Sequence, residues 1–243
     1  MNEAWRELGQ ARSGGVLLIA DHAANVVPAD IDLGIDPVLL DDHIALDIGV
    51  AAVAALLVDR GVVDCAILGG VSRLVIDLNR EVDHPGLIPA ASDGHSIHGN
   101  VGLPASERAA RAERFFAPYH ARIDAVIAAA PPAMILSLHS FTPRLASHPD
   151  VARPWDIGIL YNDDERLAGA AIALLAADDW HVGDQQPYSG KQLNATMNRH
   201  AEARGIPYVG VELRQDHSGT AAGQARMAAS LAKMVAGLRY LLA

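Results

Sequence analysis

The feature that most constrains the fold is the alternation of short apolar runs with longer segments of helical character. We predict strands at 15–20, 133–141, 155–162 and 206–216, and one or two strands within 65–80. Helices are predicted at 41–61, 104–130, 164–178 and 220–242. Alternation of this kind favours a mostly parallel, mixed sheet with helices on both faces. The sequence therefore predicts an α/β fold.

Length and charge narrow the class of protein further. The chain has 243 residues, which favours a single domain over 1–243, and its formal net charge of -10 argues against nucleic acid or an anionic membrane as a partner. Its single cysteine, Cys65, excludes an internal disulfide framework and fits a reducing compartment. No signal segment or membrane-spanning run is visible, so we expect a cytoplasmic protein. A homo-oligomer is left open.

Polar side chains follow the apolar run of several predicted strands. They are His22, then Asn79 and Arg80 in the run VIDLNR, then His139 and Ser140, and finally Glu212 and Arg214. In open α/β sheets, sites form in the crevice at the carboxyl ends of the strands. If these strands are parallel neighbours, the polar groups converge on one crevice.

This set of groups suits a metal-dependent hydrolase. Two imidazoles and an oxygen ligand can hold Zn²⁺ with one position open for water, and a free carboxylate can act as general base. A guanidinium and an amide can bind an anionic substrate. The chain lacks the G-x-S-x-G, Walker A and G-x-G-x-x-G patterns, which disfavours serine hydrolases, kinases and dinucleotide enzymes.

Each of these residues also has a structural interpretation. His22 and His139 could be satisfied polar residues, and Asp47 could favour the dipole of a helix that begins near it. Glu212 could form an ion pair with an arginine such as Arg214, two residues further on and on the same face of the strand. The polar segments 83–102 and 147–154 are candidate active-site loops.

Six stretches of the sequence resemble the N-formylglutamate amidohydrolase family. They are LLIADHAANVVP, DDHIALDIGVAAVAALL, SRLVIDLNRE, GNVGLPASERAARAERFFAPYHARID, LSLHSFTP and YVGVELRQD. The resemblance runs from about residue 16 to 240. It implies a zinc-carboxypeptidase-like (phosphorylase/hydrolase-like) fold, with distant similarity to zinc carboxypeptidases and aspartoacylase-type deacylases.

The resemblance also implies roles for individual residues. One zinc ion per chain would be held by His22, His139 and a carboxylate, and Glu212 would activate water. Asn79 and Arg80 would bind a substrate carboxylate, with Ser140 beside them. The metal and a nearby arginine, Arg73 or Arg214, would stabilise the oxyanion. The expected substrate is a small anionic amino-acid derivative, N-formyl-L-glutamate, cleaved to formate and glutamate.

The oxygen ligand departs from the carboxypeptidase pattern, in which a glutamate stands at the third place after the first histidine. That place is Asn25 here, a poor zinc ligand. We choose Asp47 instead, with Asp21 and Asp77 as alternatives. Two other functions stay open: a deacylase or peptidase for another N-acyl amino acid, and a non-catalytic carboxylate-binding protein on the same fold.

Overall fold

A computed structural model of the chain describes residues 4–242. Seven strands form one sheet and two short strands form a separate hairpin. The strands are β1 (Trp5–Gly9), β2 (Val16–Ala20), β3 (Cys65–Gly69), β4 (Ala91–Ser92), β5 (His95–Ser96), β6 (Met134–Phe141), β7 (Ile157–Leu160), β8 (Val182–Asp184) and β9 (Tyr208–Arg214). The order in the sheet is β1-β3-β2-β6-β9-β7-β8, and β4 pairs with β5.

The centre of the sheet is parallel and its two edges are not. Strands β3, β2, β6 and β9 run parallel to one another, whereas β1 is antiparallel to β3 and β7 is antiparallel to β9. The register places His139 beside Glu212 on neighbouring strands. The predicted mostly parallel, mixed sheet is therefore confirmed.

Helices cover both faces of the sheet, as predicted. They are α1 (Val50–Asp59), α2 (Ala105–Arg111), α3 (Ala117–Ala129), α4 (Ala168–Ala176), α5 (Ala195–His200), α6 (Gln215–Ser218) and α7 (Ala221–Leu242). A π-helical turn, Ala112–Phe116, joins α2 to α3. Helices α1, α4 and α7 pack with Leu18 on one face, and α3 and α5 pack with Leu17 and Ile19 on the other. Burial of adjacent strand residues on opposite faces explains why the strands are continuous apolar runs.

The predicted strand over VIDLNR is wrong. The chain forms one strand, β3, and then a series of turns from Gly70 to Arg80. Side chains take the place of a strand partner there: Asn100 Nδ2 donates to the carbonyl of Leu74 at 2.7 Å, and Arg111 donates to that of Val75 at 3.2 Å. These bonds satisfy the buried carbonyls without a sheet ladder.

The predicted helix over 41–61 begins later, at Val50. Gly49 precedes it with a φ of +86°, a left-handed conformation that glycine adopts without strain. A Cβ at Gly49 would also lie 2.2 Å from the carbonyl oxygen of Ser218. Asp47 therefore lies in the turn before α1 and not within the helix predicted over 41–61.

Among residues 4–242, no helix combines the length and the apolar character that a membrane span requires.

Candidate metal and hydrolytic site

A cavity of about 440 Å³ lies at the carboxyl ends of the central parallel strands. Its lining includes predicted site residues from separate parts of the chain: His22, Asp47, Arg73, Asn79, Arg80, His139, Ser140 and Glu212. The two polar segments predicted as active-site loops contribute as well, through residues such as Asp93 and His148. The structure therefore brings eight of the nine predicted site residues to one cavity, six of the seven from the strand-end argument among them.

Three buried side chains form a group that could hold a metal ion. Ligand atoms of His22, Asp47 and His139 lie within 4.8 Å of one another. Asp47 Oδ2 is 2.9 Å from His139 Nδ1 and 3.4 Å from His22 Nδ1. Both Nδ1 atoms thus converge on one carboxylate oxygen, which gives the two-nitrogen, one-oxygen set that zinc accepts in hydrolases.

Backbone hydrogen bonds explain how Asp47 reaches this place. The Asp47 N–H donates to the carbonyl of His22 at 2.9 Å, which joins the turn before α1 to the end of β2. The N–H of Ser140 donates to Asp47 Oδ2 at 3.2 Å. Asp47 is therefore fixed against both strands that carry the histidines.

Each histidine faces a second carboxylate with its other ring nitrogen. His22 Nε2 lies 2.7 Å from Asp77 Oδ1, and His139 Nε2 lies 3.3 Å from Asp21 Oδ2. Asp21 is in turn held by Tyr119 and Thr196, whose hydroxyls both donate to its Oδ1 at 2.9 Å. Metal-binding histidines in proteins are oriented by outer carboxylates in this way.

Unpaired buried atoms support the fit of a metal to this group. His22 Nδ1 is buried and makes no hydrogen bond to any residue that the structure describes. Burial and Arg73 lower the pKa of His22, but Asp77 and Asp47 raise it more, and the net direction is upward. Burial likewise lowers the pKa of His139, and Asp21 and Asp47 reverse this and hold it well above its ordinary value. The pocket favours positive charge, which a metal ion would supply in place of protons.

Glu212 stands beside this group with a free carboxylate oxygen. The residue is 7% exposed, and its Oε2 is buried without a hydrogen-bond partner in the described part of the chain. Burial and the neighbouring Asp47 raise the pKa of Glu212 to about 7, against the lowering effect of His139, Arg73 and His22. A carboxylate in this state can take up and return a proton near neutral pH.

The groups predicted to bind an anion line the cavity, and their orientations are fixed. The N–H of Thr196 donates to Asn79 Oδ1 at 3.0 Å, so the Nδ2 group of Asn79 remains as a donor. Arg80 NH1 donates to the carbonyl of Asn79 at 2.9 Å. Arg73 donates to Asp47 at 3.2 Å and to Asp77 at 3.0 Å. Arg73 therefore stabilises the two carboxylates, whereas Asn79 and Arg80 keep donors for a ligand.

The structure does not bring Arg214 or Asn25 to the cavity. Arg214 forms ion pairs with Asp156 at 3.0 Å and Asp216 at 2.8 Å, because it lies at the end of β9 next to those carboxylates. Asn25 Nδ2 donates to Asp41 at 2.9 Å. The ion pair between Glu212 and Arg214 that strand alternation suggested is not among the contacts of residues 4–242.

Two features of the cavity have no signal in the strand-end pattern. Asp93, at the β4–β5 hairpin, accepts hydrogen bonds from His43 and from the backbone N–H groups of Ala146 and Ser147 at 2.8–2.9 Å. It adopts a φ of +42° to do so, and it joins three loops that line the cavity. Tyr188 lines the cavity from a loop after β8. Both lie in loops, where periodicity carries no information on position.

Comparisons with known proteins agree with the geometry. The family model of N-formylglutamate amidohydrolase matches residues 14–218. A gene product of Agrobacterium tumefaciens has a solved structure that is 31% identical, with a TM-score of 0.90 over 97% of this chain and 94% of that one. N-formylglutamate amidohydrolase from Ralstonia eutropha is 18% identical, with a TM-score of 0.69 over 98% of this chain and 97% of that one.

A bacteriophage poly-gamma-glutamate hydrolase is more distant. It is 9% identical, with a TM-score of 0.50 over 99% of this chain and 91% of that one. At these identities the last two structures show a shared fold. The chain matches none of the curated proteins with which it was compared.

Proposed function

This chain belongs to the N-formylglutamate amidohydrolase family, and we propose that it is a zinc-dependent hydrolase of N-formyl amino acids. The proposed substrate is N-formyl-L-glutamate, and the products are formate and glutamate. The observation that carries the proposal is the buried, unpaired carboxylate of Glu212 in register with His139 of the candidate metal group.

His22, Asp47 and His139 would hold the metal ion, with Asp77 and Asp21 orienting the two imidazoles. A zinc ion bound there would lower the pKa of a water molecule toward ~7 and polarise the formyl carbonyl. Asp47 is the better oxygen ligand than Asn25, because it is anionic and its Oδ2 faces both histidines.

Glu212 would carry the proton through the reaction. Its carboxylate accepts a proton from the attacking water as the water oxygen bonds to the formyl carbon. As the carbon–nitrogen bond breaks, Glu212 returns that proton to the leaving nitrogen. The water supplies the oxygen that is added to the formyl carbon and the proton that is added to the nitrogen, so no further reactant is needed.

Asn79 and Arg80 would bind the α-carboxylate of the substrate. Asn79 presents Nδ2 because its Oδ1 is held by Thr196, and Arg80 lines the same wall with half-buried donors. A charge-assisted pair of this kind fixes the orientation of an anion as well as its affinity. The amide bond is then held at a defined distance from Glu212.

One observation favours a second candidate, an N-acyl amino acid without a second carboxylate. The described lining of the cavity contains two arginines and no lysine, and Arg73 is already bonded to Asp47 and Asp77. Arg80 is the guanidinium that remains for a ligand, whereas N-formylglutamate carries two carboxylates. The second carboxylate would have to be met by imidazole groups such as His84 and His148.

A turnover assay over a panel of substrates tests both candidates. Purified zinc-loaded protein would be assayed with the N-formyl and N-acetyl derivatives of glutamate, glutamine and methionine. Preference for N-formylglutamate supports the first candidate, and preference for an uncharged side chain supports the second. Absence of turnover on the whole panel, in protein that binds one zinc ion per chain, would overturn the proposed activity.

A further inference from the structure

The two arginines expected to stabilise the oxyanion are both held by carboxylates. Arg73 places NH1 on Asp47 and NH2 on Asp77, and Arg214 is bonded to Asp156 and Asp216 outside the cavity. Stabilising an oxyanion requires a donor that is aimed at the reacting oxygen before the reaction begins. A cavity hydroxyl whose proton has no partner can supply such a donor, in addition to the polarisation of the carbonyl that a bound metal would provide.

Tyr188 is a half-buried side chain of the cavity lining whose hydroxyl group is held in place. The NH1 group of Arg153 donates to the Tyr188 oxygen at 3.0 Å, and the guanidinium lies 4.9 Å from the centre of the Tyr188 ring. Arg153 is itself buried and also donates to the carbonyl of Thr142 at 3.3 Å. The phenol is therefore fixed both by its ring and by its oxygen.

The direction of the Tyr188 proton follows from the chemistry of its partner. A guanidinium can only donate hydrogen bonds, so the Tyr188 oxygen must accept from Arg153. The hydroxyl proton then points elsewhere, and the Tyr188 hydroxyl donates no hydrogen bond to the residues that the structure describes. Burial, followed by the charge of Glu212, raises the pKa of Tyr188, so the proton stays on the oxygen at neutral pH.

We propose that the Tyr188 hydroxyl donates a hydrogen bond to the acyl oxygen of the substrate, and that Arg153 is the positioning residue that aims it. This inference rests on the proposed amide hydrolysis. In this arrangement Tyr188 is a catalytic residue that strengthens its bond as negative charge develops on the acyl oxygen. The half-buried position makes such a bond stronger than the same bond in water.

The variant Tyr188→Phe tests the proposal because it removes the hydroxyl and keeps the ring against Arg153. With any N-acyl amino acid that the wild type hydrolyses, kcat should fall about 10²–10³-fold, with KM little changed. Tyr161→Phe is the matched control, since the Tyr161 hydroxyl donates to Asp184 at 2.9 Å and lies outside the cavity lining. It should keep the wild-type kcat. Melting temperatures of both variants report whether the fold is retained.

The role of Arg153 is tested by a double-mutant cycle. Arg153→Met should lower kcat by less than Tyr188→Phe does, and adding it to Tyr188→Phe should lower kcat no further. A purely structural role for Arg153 would instead give additive losses. An active wild type with unchanged kcat in Tyr188→Phe would overturn the inference alone. A wild type that hydrolyses no N-acyl amino acid would overturn the proposed function and this inference with it.

Discussion

Two pairs of buried histidines in this molecule have nearly the same spacing and opposite affinities for protons. The ring centres of His22 and His139 are 5.2 Å apart, and those of His120 and His200 are 5.1 Å apart. The pKa values of the first pair are raised above the ordinary value. Burial lowers the pKa of His120 and of His200 to about 4.

The carboxylates around each pair account for the difference. Asp47 lies between the rings of the first pair, and Asp77 and Asp21 face their outer nitrogens. In the second pair, His120 Nδ1 and His200 Nε2 face each other at 2.8 Å, and the other nitrogen of His120 is bonded to a carbonyl. Asp124 lies 2.9 Å from His200 but is half exposed, and the buried Asp21 raises the pKa of both histidines without overcoming the effect of burial. Direct contact of the ring nitrogens with buried carboxylates, rather than burial or ring spacing, therefore identifies the pair suited to a cation.

The largest expected difference between the pairs is in metal binding. His139→Ala should abolish the binding of about one zinc ion per chain, because it removes a ligand atom. His200→Gln, in the second pair, should keep full zinc content. Metal analysis of the two purified variants after dialysis makes the measurement. Retention of zinc in His139→Ala, or its loss in His200→Gln, would reverse the assignment of the two pairs.

The same assay identifies the oxygen ligand that the sequence left open. Asp47→Asn should weaken zinc binding, because a neutral amide replaces the anionic oxygen that faces both histidines. Asn25→Ala is the matched control, since Asn25 is bonded to Asp41 away from the cavity. The choice of Asp47 fails if Asn25→Ala loses zinc while Asp47→Asn binds it normally.

The second expected effect concerns Glu212, the carboxylate in register with His139 of the first pair. Glu212→Gln keeps the shape of the side chain but cannot accept a proton, so turnover should fall by ~10²–10⁴-fold. Zinc content and melting temperature should change little, because Glu212 is not among the three candidate metal ligands. A variant that melts much earlier yet keeps near-normal turnover per folded molecule would show a structural role instead.

The sequence predicted the centre of the fold better than its edges. Strands β2, β6 and β9 are continuous apolar runs because they are buried on both faces, and this pattern is visible without the structure. The edge strands β1 and β8 were not predicted. Their pattern is partly exposed, and their pairing depends on contacts far away along the chain. VIDLNR was mistaken for a strand because its apolar residues are buried in turns that side chains hold together.

The candidate site shows the same limit. His22, His139 and Glu212 could be placed because parallel strands end at one edge of the sheet. Asp77 was considered only as an alternative ligand, and its place behind His22 depends on turns that the periodicity does not describe. Arg214 was placed in the site by strand alternation, but its strand ends there and Asp156 competes for the side chain. Tyr188 reaches the cavity from a loop, so its proposed role could be inferred only from the structure.

A third expected effect sharpens the comparison through the carboxylates behind each pair. Asp21→Asn should weaken zinc binding about 10–100-fold, the usual consequence of removing a carboxylate behind a metal-binding histidine. Asp124→Asn removes the carboxylate that lies 2.9 Å from His200, and it should leave zinc affinity unchanged. Competition with a chromogenic chelator measures both affinities. Equal losses in the two variants would mean that both act through general stability.

The smallest expected effect is on the pH dependence of stability, and it depends on the second pair. In the native state His120 and His200 have pKa values of about 4, below the ordinary value of 6.5, so both are uncharged near neutral pH. As the pH falls from about 6.5 toward about 4, the unfolded chain takes up protons that the native chain does not, and the free energy of unfolding decreases. Above about 6.5 these groups contribute no pH dependence.

Urea unfolding at about pH 7 and about pH 5 measures this loss in the wild type and in two variants. His200→Gln removes one of the two groups, so its loss between these pH values should be smaller than that of the wild type by about 1–2 kcal/mol. Asp124→Asn should give a loss at least as large as the wild type, since the Asp124 carboxylate raises the pKa of His200. If His200→Gln retained the full wild-type loss, the second pair would not be held uncharged by burial, and the contrast between the two pairs would disappear.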